Sequence, residues 1–400
     1  MRQISAAGIA VLGSAVIAIT YGLARFVLGL FMPVIRDELA LDASAAGVIG
    51  ALPFVSFIAA VLIAPRLSEW LGPRNAGVLT AGVAMSGLLL VAGAPGAIVL
   101  GVAVAICGIS TGLSSPVMAD AVHSAVTPTL RGRVNAVHNA GTSLGVALAM
   151  PISAYLLGDW RAAYLSFALL AALAAIAMLR WLPPNTATAA LQVGHAPHAR
   201  MTQAQRRGIS ALAVLAVGMG VTSSIYWVFA PDMVTRHGGL PDWTGSWMWL
   251  GIGVVGLLGG AAGDLMDRLG TARTHGLALG LLALALALLA WQPDALLPGL
   301  TSAAIFGAAY MTLTGLYLVQ GIRILSNRPA LGPVLPFLAV ACGQAVGSPV
   351  AGWTIEHAGY PTAFAAFALI GLMLVAVALA GRLIGEWHVP DTDWKGPTTP

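Results

Sequence analysis

Arg25 lies inside an apolar run from Gly8 to Met32, eight residues before Pro33. Along a helix that separation is about 12 Å. In a bilayer whose hydrocarbon core is roughly 30 Å thick, Arg25 then falls near mid-depth. A charge there is costly and normally faces a water-filled cavity or a partner. A guanidinium grips a carboxylate or phosphate through two parallel N–H bonds. One reading is therefore recognition of an anionic group, with Tyr21 one turn earlier on the same face. The other is a structural arginine that bonds backbone carbonyls or snorkels outward.

Other polar residues sit in apolar runs at helical spacing. Ser110 and Ser114 are one turn apart, and Tyr310, Thr314 and Tyr317 share a face. Ser223 and Trp227 share another, with Tyr226 adjacent. Asn135, His138, Asn139 and Thr142 cluster in one run, and Gln344 stands alone in another. Each is a candidate substrate ligand; the alternative for each is interhelical hydrogen bonding. For a coupling proton the candidates are Asp120 and His138, since imidazole titrates near neutral pH. Asp120 has a plainer reading, an ion pair with Arg131 or Arg133. Trp243, Trp247 and Trp249 read as an interfacial belt or packing surface. Cys107 and Cys342 read as small apolar residues. Neither a disulfide framework nor a metal site is expected, and no cofactor. The run Gly251-Ile-Gly253-Val-Val-Gly256 fits a dinucleotide fingerprint by letters only. It lies in an apolar span with no strand before it and is discarded.

The elements that must position these residues follow from composition. Of the 400 residues, 58% are hydrophobic and 8% charged, against about 25% charged in soluble domains. Too little charge remains to coat a water-facing surface. A disordered chain is excluded by the hydrophobicity. The basic residues are spread along the chain, which argues against a nucleic-acid face. An all-helical, multi-pass membrane protein remains. Twelve apolar stretches are long enough to cross a bilayer, six on each side of a polar segment from Pro183 to Arg207. The first begins close behind Met1 and reads as a retained span, because no cleavage site follows it. Short breaks marked by Pro and Gly imply antiparallel neighbours. Placing the N-terminus inside puts nearly all Arg and Lys on cytoplasmic segments. Only Arg36, Arg161 and Arg236 fall outside, and Arg25 falls within a span. By the positive-inside rule both termini are then cytoplasmic.

The chain also repeats itself. Glu69, Gly72 and Pro33 recur as Asp267, Gly270 and Pro231, each at an offset of 198. Pro33 and Pro231 are read as the ends of the first and seventh spans. Gly141-x-x-x-Gly145 recurs as Gly343-x-x-x-Gly347, and Gly256/Gly260 and Gly259/Gly263 add further small-residue runs that suit close helix packing. Shifting Arg25 by 198 gives Ser223, and shifting Ser110 and Ser114 by 200 gives Tyr310 and Thr314. A duplicated bundle with its site between the repeats is the organisation of a secondary transporter.

These loops carry a resemblance. The segment Gly263 to Arg273, and more loosely Pro65 to Arg74, resembles the signature loop of the major facilitator superfamily, and the likeness covers nearly the whole chain. The first copy departs from the pattern at Pro65 and Trp70. The stretch from Tyr21 to Pro33 also resembles the first span of the superfamily's bacterial YbfB-like branch. The resemblance implies twelve helices in two pseudo-symmetric halves, at 1–182 and 208–386, with a cytoplasmic linker at 183–207 and a tail at 387–400. It implies that spans one, four, seven and ten line a cavity. It also implies cytoplasmic latches at Glu69, Gly72, Arg74, Asp267, Arg268 and Gly270; plain loop capping is the alternative.

The function expected is secondary active, alternating-access transport of a small solute, leaning to a small organic anion, by a monomer in a plasma or inner membrane. A coupling proton or counter-solute is the implied partner. The alternative is multidrug or metabolite efflux, although span four lacks an Arg around Ile106 to Gly112 and span five lacks the Gly-Pro pair of drug antiporters. A membrane-embedded enzyme would need clustered acids, His or Cys at one depth. A non-transporting receptor would usually carry a sizeable soluble domain.

Overall fold

The structure is a computed structural model that describes residues 5–156, 158–182, 201–326, 328 and 331–383. Most of the linker read at 183–207, and the tail, lie outside the described residues. Among the described residues every long element is a helix. They are α1 (Ala6–Glu38), α2 (Ala43–Ala92), α3 (Ala97–Ala125), α4 (Pro128–Tyr155), α5 (Trp160–Trp181), α6 (Gln203–His237), α7 (Trp243–Leu269), α8 (Thr271–Trp291), α9 (Leu296–Ile324), α10 (Leu331–Ala358) and α11 (Tyr360–Leu383). Ten of these are long and apolar enough to cross a membrane. The remaining one is α4, which carries Arg131, Arg133, Asn135, His138 and Asn139 in its first turns.

Sequence chemistry sets where the helices begin and bend. Asp42 and Asp159 accept the N–H groups of Ala45 and Ala162, capping α2 and α5. Thr202 and Gln205 cap α6 reciprocally. Arg206 and Arg207 therefore lie in its first turn rather than in a loop. The 50 residues of α2 are two arms bent at Gly72, where φ is 73°. At the repeated position Gly270 has φ 81° and separates α7 from α8. Only glycine takes such angles without strain.

The repeat reappears in packing. A Cβ on Gly145 would lie 2.1 Å from the Ala18 carbonyl oxygen, and one on Gly343 2.1 Å from that of Val217. Gly22 meets Gly145 in α1–α4 contact, as Gly220 meets Gly343 in α6–α10 contact. Small residues thus let backbones touch in both copies. Gly260 and Gly263 face open space instead, so those two positions do not seat a helix.

Pro33 and Pro231 do not end their helices. α1 runs on to Glu38 and α6 to His237. Each proline removes an N–H from the ladder and leaves the carbonyl four residues earlier without its usual donor. For Pro231 that carbonyl belongs to Trp227, and it packs directly on Gly29 of α1. A break in one helix thereby becomes a contact with another.

The helices before residue 183 and those after residue 200 meet most closely toward one end. There Gly47 packs on Ser348 and Gly352, Gly50 on Val228, and the Ser44 N–H donates to Glu356 at 3.1 Å. Deeper in, α4 and α7 touch where Gly253 abuts Ser143 and Ala147. Toward the opposite end Ser115 and Asn135 are exposed.

Candidate functional site

Arg25 is held by a π-helical stretch of α1, Ala18–Phe26. Such wide turns cost regular hydrogen bonding and concentrate at functional sites. The side chain is only 6% exposed. Its Nη2 donates to Gln344 Oε1 on α10 at 3.1 Å, and its Nε is buried without a hydrogen-bond partner. Four rings surround the guanidinium: Phe54 at 4.4 Å, Phe57 at 4.7 Å, Phe26 at 5.0 Å and Tyr21 at 5.7 Å. Such contacts ease the burial of a cation without neutralising it. Among the described residues no carboxylate forms an ion pair with it.

Gln344 extends the cluster. Its Nε2 donates to Tyr310 OH at 3.2 Å and reaches Ser223 Oγ at 3.5 Å. Trp227 stacks on Phe26 at 4.1 Å and meets Tyr310 edge-on at 5.1 Å. Tyr21, Arg25, Ser223, Trp227, Tyr310 and Gln344 thus come together from α1, α6, α9 and α10. The Tyr21 hydroxyl bonds the exposed Ser115 at 2.9 Å, at the rim of the cluster.

The other candidates bond to the scaffold. Ser110 donates to the Cys107 carbonyl, Ser114 to that of Thr111, and Thr314 to that of Met311. These are ordinary back-bonds within a helix. Tyr226 pairs with Ser302 at 2.9 Å and stacks on Phe306, which in turn meets Trp227 and Tyr310 at 5.2 and 5.7 Å. His138 bonds the Ile9 carbonyl at 3.1 Å and fills the space above Gly13. Asn139 is half-buried one residue on.

The sequence pattern of the Major Facilitator Superfamily matches residues 14–330, most of the chain. The chain belongs to the major facilitator superfamily. Solved structures share the superfamily fold at low identity. A bacterial homologue of the human lysosomal transporter Spinster, inward-facing and unoccupied, aligns with TM-score 0.75 at 13% identity over 96% of this chain and 99% of its own. A POT family transporter in complex with 5-aminolevulinic acid aligns with TM-score 0.74 at 14% identity over 94% of this chain and 96% of its own. A variant of the nucleoside transporter NupG aligns with TM-score 0.73 at 13% identity over 93% of this chain and 99% of its own. Among curated proteins none matches. The chain is thus a multi-pass membrane transporter of this superfamily and not an enzyme.

Within this superfamily member, the two signature loops differ. Asp267 accepts from Arg323 of α9 at 2.8 Å, on the surface. At the first copy Arg74 donates to the Leu179 carbonyl of α5, while Glu69 and Arg268 are exposed. The pairing of Asp120 with Arg131 or Arg133 is not formed. Arg131 instead caps the end of α3 through the carbonyls of His123 and Val126 at 2.8 and 3.0 Å. Trp249 is fully buried against Trp227, whereas Trp243 and Trp247 are exposed.

Sequence reasoning missed the strongest polar contact between the two sets of helices. Arg36, read as an outer-loop residue, is buried in α1 and donates to Asp232 of α6 at 2.5 Å. Tyr360 bonds both, at 2.7 Å to Arg36 and 3.2 Å to Asp232. Arg236 stands 3.5 Å from the second Asp232 oxygen and pairs with Asp37 of α1. An acid directly after Pro231 was the available signal, concealed by reading that proline as a helix end.

Proposed function

We propose that this transporter moves a small organic anion by alternating access, with Arg25 as the anion ligand. The observation that carries the reading is Arg25 itself. It is a buried guanidinium with an unpartnered Nε, a neutral amide as its hydrogen-bonding neighbour, and no acid paired to it among the described residues. A buried cation without a counter-charge is costly, and a bound anion removes the cost. Gln344, Tyr310 and Ser223 supply neutral groups beside it, and Tyr21 stands at the rim. Trp227 belongs to the same cluster, and Asn139, His138, Ser110, Ser114, Thr314 and Tyr226 are the secondary candidates.

The bundle is read as twelve spans in two halves of six, with α2 counted as two at Gly72 and both termini cytoplasmic. The end sealed by Arg36 and Asp232 then faces outward, and the state is inward-open. Asp267 and its pair with Arg323 act as a latch, with Glu69, Gly72, Arg74, Arg268 and Gly270 as its companions. Asp120 and His138 are the coupling candidates. The YbfB-like likeness rests on the stretch from Tyr21 to Pro33. A monomer in the inner membrane is the working unit.

Multidrug or metabolite efflux is the second reading, favoured by the aromatic rings around Arg25, which also suit apolar cations. Ligand-induced thermal stabilisation separates the two, because a ligand of the native state raises the melting temperature by mass action. Small carboxylates should stabilise the native protein but not a folded Arg25→Ala variant. Stabilisation by lipophilic cations alone, equal in both proteins, would give the site to efflux. Uptake of the stabilising anion into proteoliposomes then tests transport.

A further inference from the structure

We infer that the anion of the Arg25 site is singly charged and carries a flat apolar body, as an aromatic monocarboxylate does. The inference rests on the anion reading and narrows it.

Charge fixes the first half. Among the described residues the buried arginines and acids are Arg25, Arg36 and Asp232. Arg36 and Asp232 neutralise each other at 2.5 Å. One positive charge is left, on Arg25. The neighbours Gln344, Tyr310, Ser223, Tyr21 and Ser115 are neutral. A single carboxylate balances the site. A second negative charge on the same ligand would be buried against neutral groups only, which is unfavourable in a low-dielectric interior.

The walls fix the second half. Phe54 and Phe57 of α2 stand within 5 Å of the guanidinium carbon, at 4.4 and 4.7 Å from ring centre. Phe26, Trp227 and Tyr310 continue the aromatic surface toward Gln344, with centroid spacings of 4.1 and 5.1 Å. Offset or edge-on contact between two aromatic rings gains more than the area it buries, a gain that an alkyl chain lacks. The phenylalanine rings offer no hydrogen bonds, and the polar atoms of this wall are few, Trp227 Nε1 and the Tyr310 hydroxyl. That is too little for the polar body of a sugar phosphate, and the ammonium of an amino-acid zwitterion would also face Arg25. A planar hydrocarbon body ending in one carboxylate fits both the rings and the charge.

The test is calorimetric titration of the detergent-purified full chain with sodium benzoate, cyclohexanecarboxylate, acetate, phthalate and inorganic phosphate. Benzoate should bind at least about tenfold more tightly than acetate, phthalate or phosphate, and more tightly than cyclohexanecarboxylate. Phe54→Leu should narrow the ratio of benzoate to acetate affinity roughly three- to tenfold. Arg25→Met should abolish benzoate binding; if that variant does not fold, the wild-type series and Phe54→Leu decide. Tightest binding of phthalate or phosphate would overturn the single charge and leave the anion reading standing. Equal affinity for benzoate and acetate, or for benzoate and cyclohexanecarboxylate, would overturn the flat body alone. Absence of binding by every anion would overturn the anion reading together with the inference.

Discussion

Arg36 and Asp232 meet at 2.5 Å where α1 and α6 converge, and Asp232 is fully buried. The two residues lie 196 positions apart, so the pair ties the first part of the chain to the second. Removing one partner of a buried pair leaves the other charge uncompensated, at about 3–5 kcal/mol. Asp232→Asn should therefore lower the melting temperature of the purified protein more than any surface change. Replacing both, as Arg36→Met with Asp232→Leu, should cost less than either single change, because well-packed apolar groups often substitute for buried pairs. Arg236 keeps Asp37 as a partner in that double variant. Additive losses in the double variant would show that the pair itself contributes little. Both single variants should also raise labelling of cysteines placed at this end, if the pair closes it.

Close approach of glycines gives a prediction with an internal control. A methyl group on Gly145 or Gly343 would collide with a carbonyl oxygen at 2.1 Å, whereas one on Gly263 meets nothing within 4 Å. Gly145→Ala and Gly343→Ala should each destabilise by about 1–3 kcal/mol through forced backbone shifts. Gly263→Ala should lie within about 0.5 kcal/mol of the native protein. Thermal unfolding checks both; equal effects at all three would mean that the helices do not pack as described.

Much of this organisation is legible in the sequence, because it rests on run length and on glycine spacing. The apolar runs give the helices, and the repeated Gly-x-x-x-Gly gives the matched α1–α4 and α6–α10 contacts. Arg25 and Gln344 were both legible as polar groups in apolar runs, but nothing in spacing shows that they touch. Ser110 and Thr314 show the converse: their helical register suited a cavity, yet each hydroxyl is taken by a carbonyl three residues back. That local bond leaves no mark on periodicity. Asp232 was hidden because a proline usually stops a helix in water. Here the carbonyl that Pro231 leaves free packs on Gly29, so the helix continues and carries its acid into the core.

The proposed latch separates stability from transport. Asp267 and Arg323 are 2.8 Å apart but both are well exposed, at 63% and 45%. Exposed pairs contribute about 0–1 kcal/mol. Asp267→Asn should leave the melting temperature nearly unchanged while slowing or biasing flux in proteoliposomes. A matching loss in both measurements would make Asp267 structural. Gly270→Ala should lose in both, since its φ of 81° costs an alanine about 1–2 kcal/mol.

Gln344→Glu tests the Arg25 site from inside. The change is nearly isosteric, and it places a carboxylate where the amide oxygen now accepts Arg25 Nη2 at 3.1 Å. The new group supplies the counter-charge that a bound anion would supply. Charge-assisted bonds are roughly twice as strong as neutral ones. The ligand-free protein should therefore melt at a higher temperature than the native form, and small carboxylates should no longer raise it. Gln344→Leu removes the bond without adding charge, so it should melt lower and still respond to anions. If Gln344→Glu binds carboxylates as the native protein does, Arg25 is not their ligand. If it melts lower than Gln344→Leu, the guanidinium is not short of a counter-charge, and the anion reading loses its physical basis.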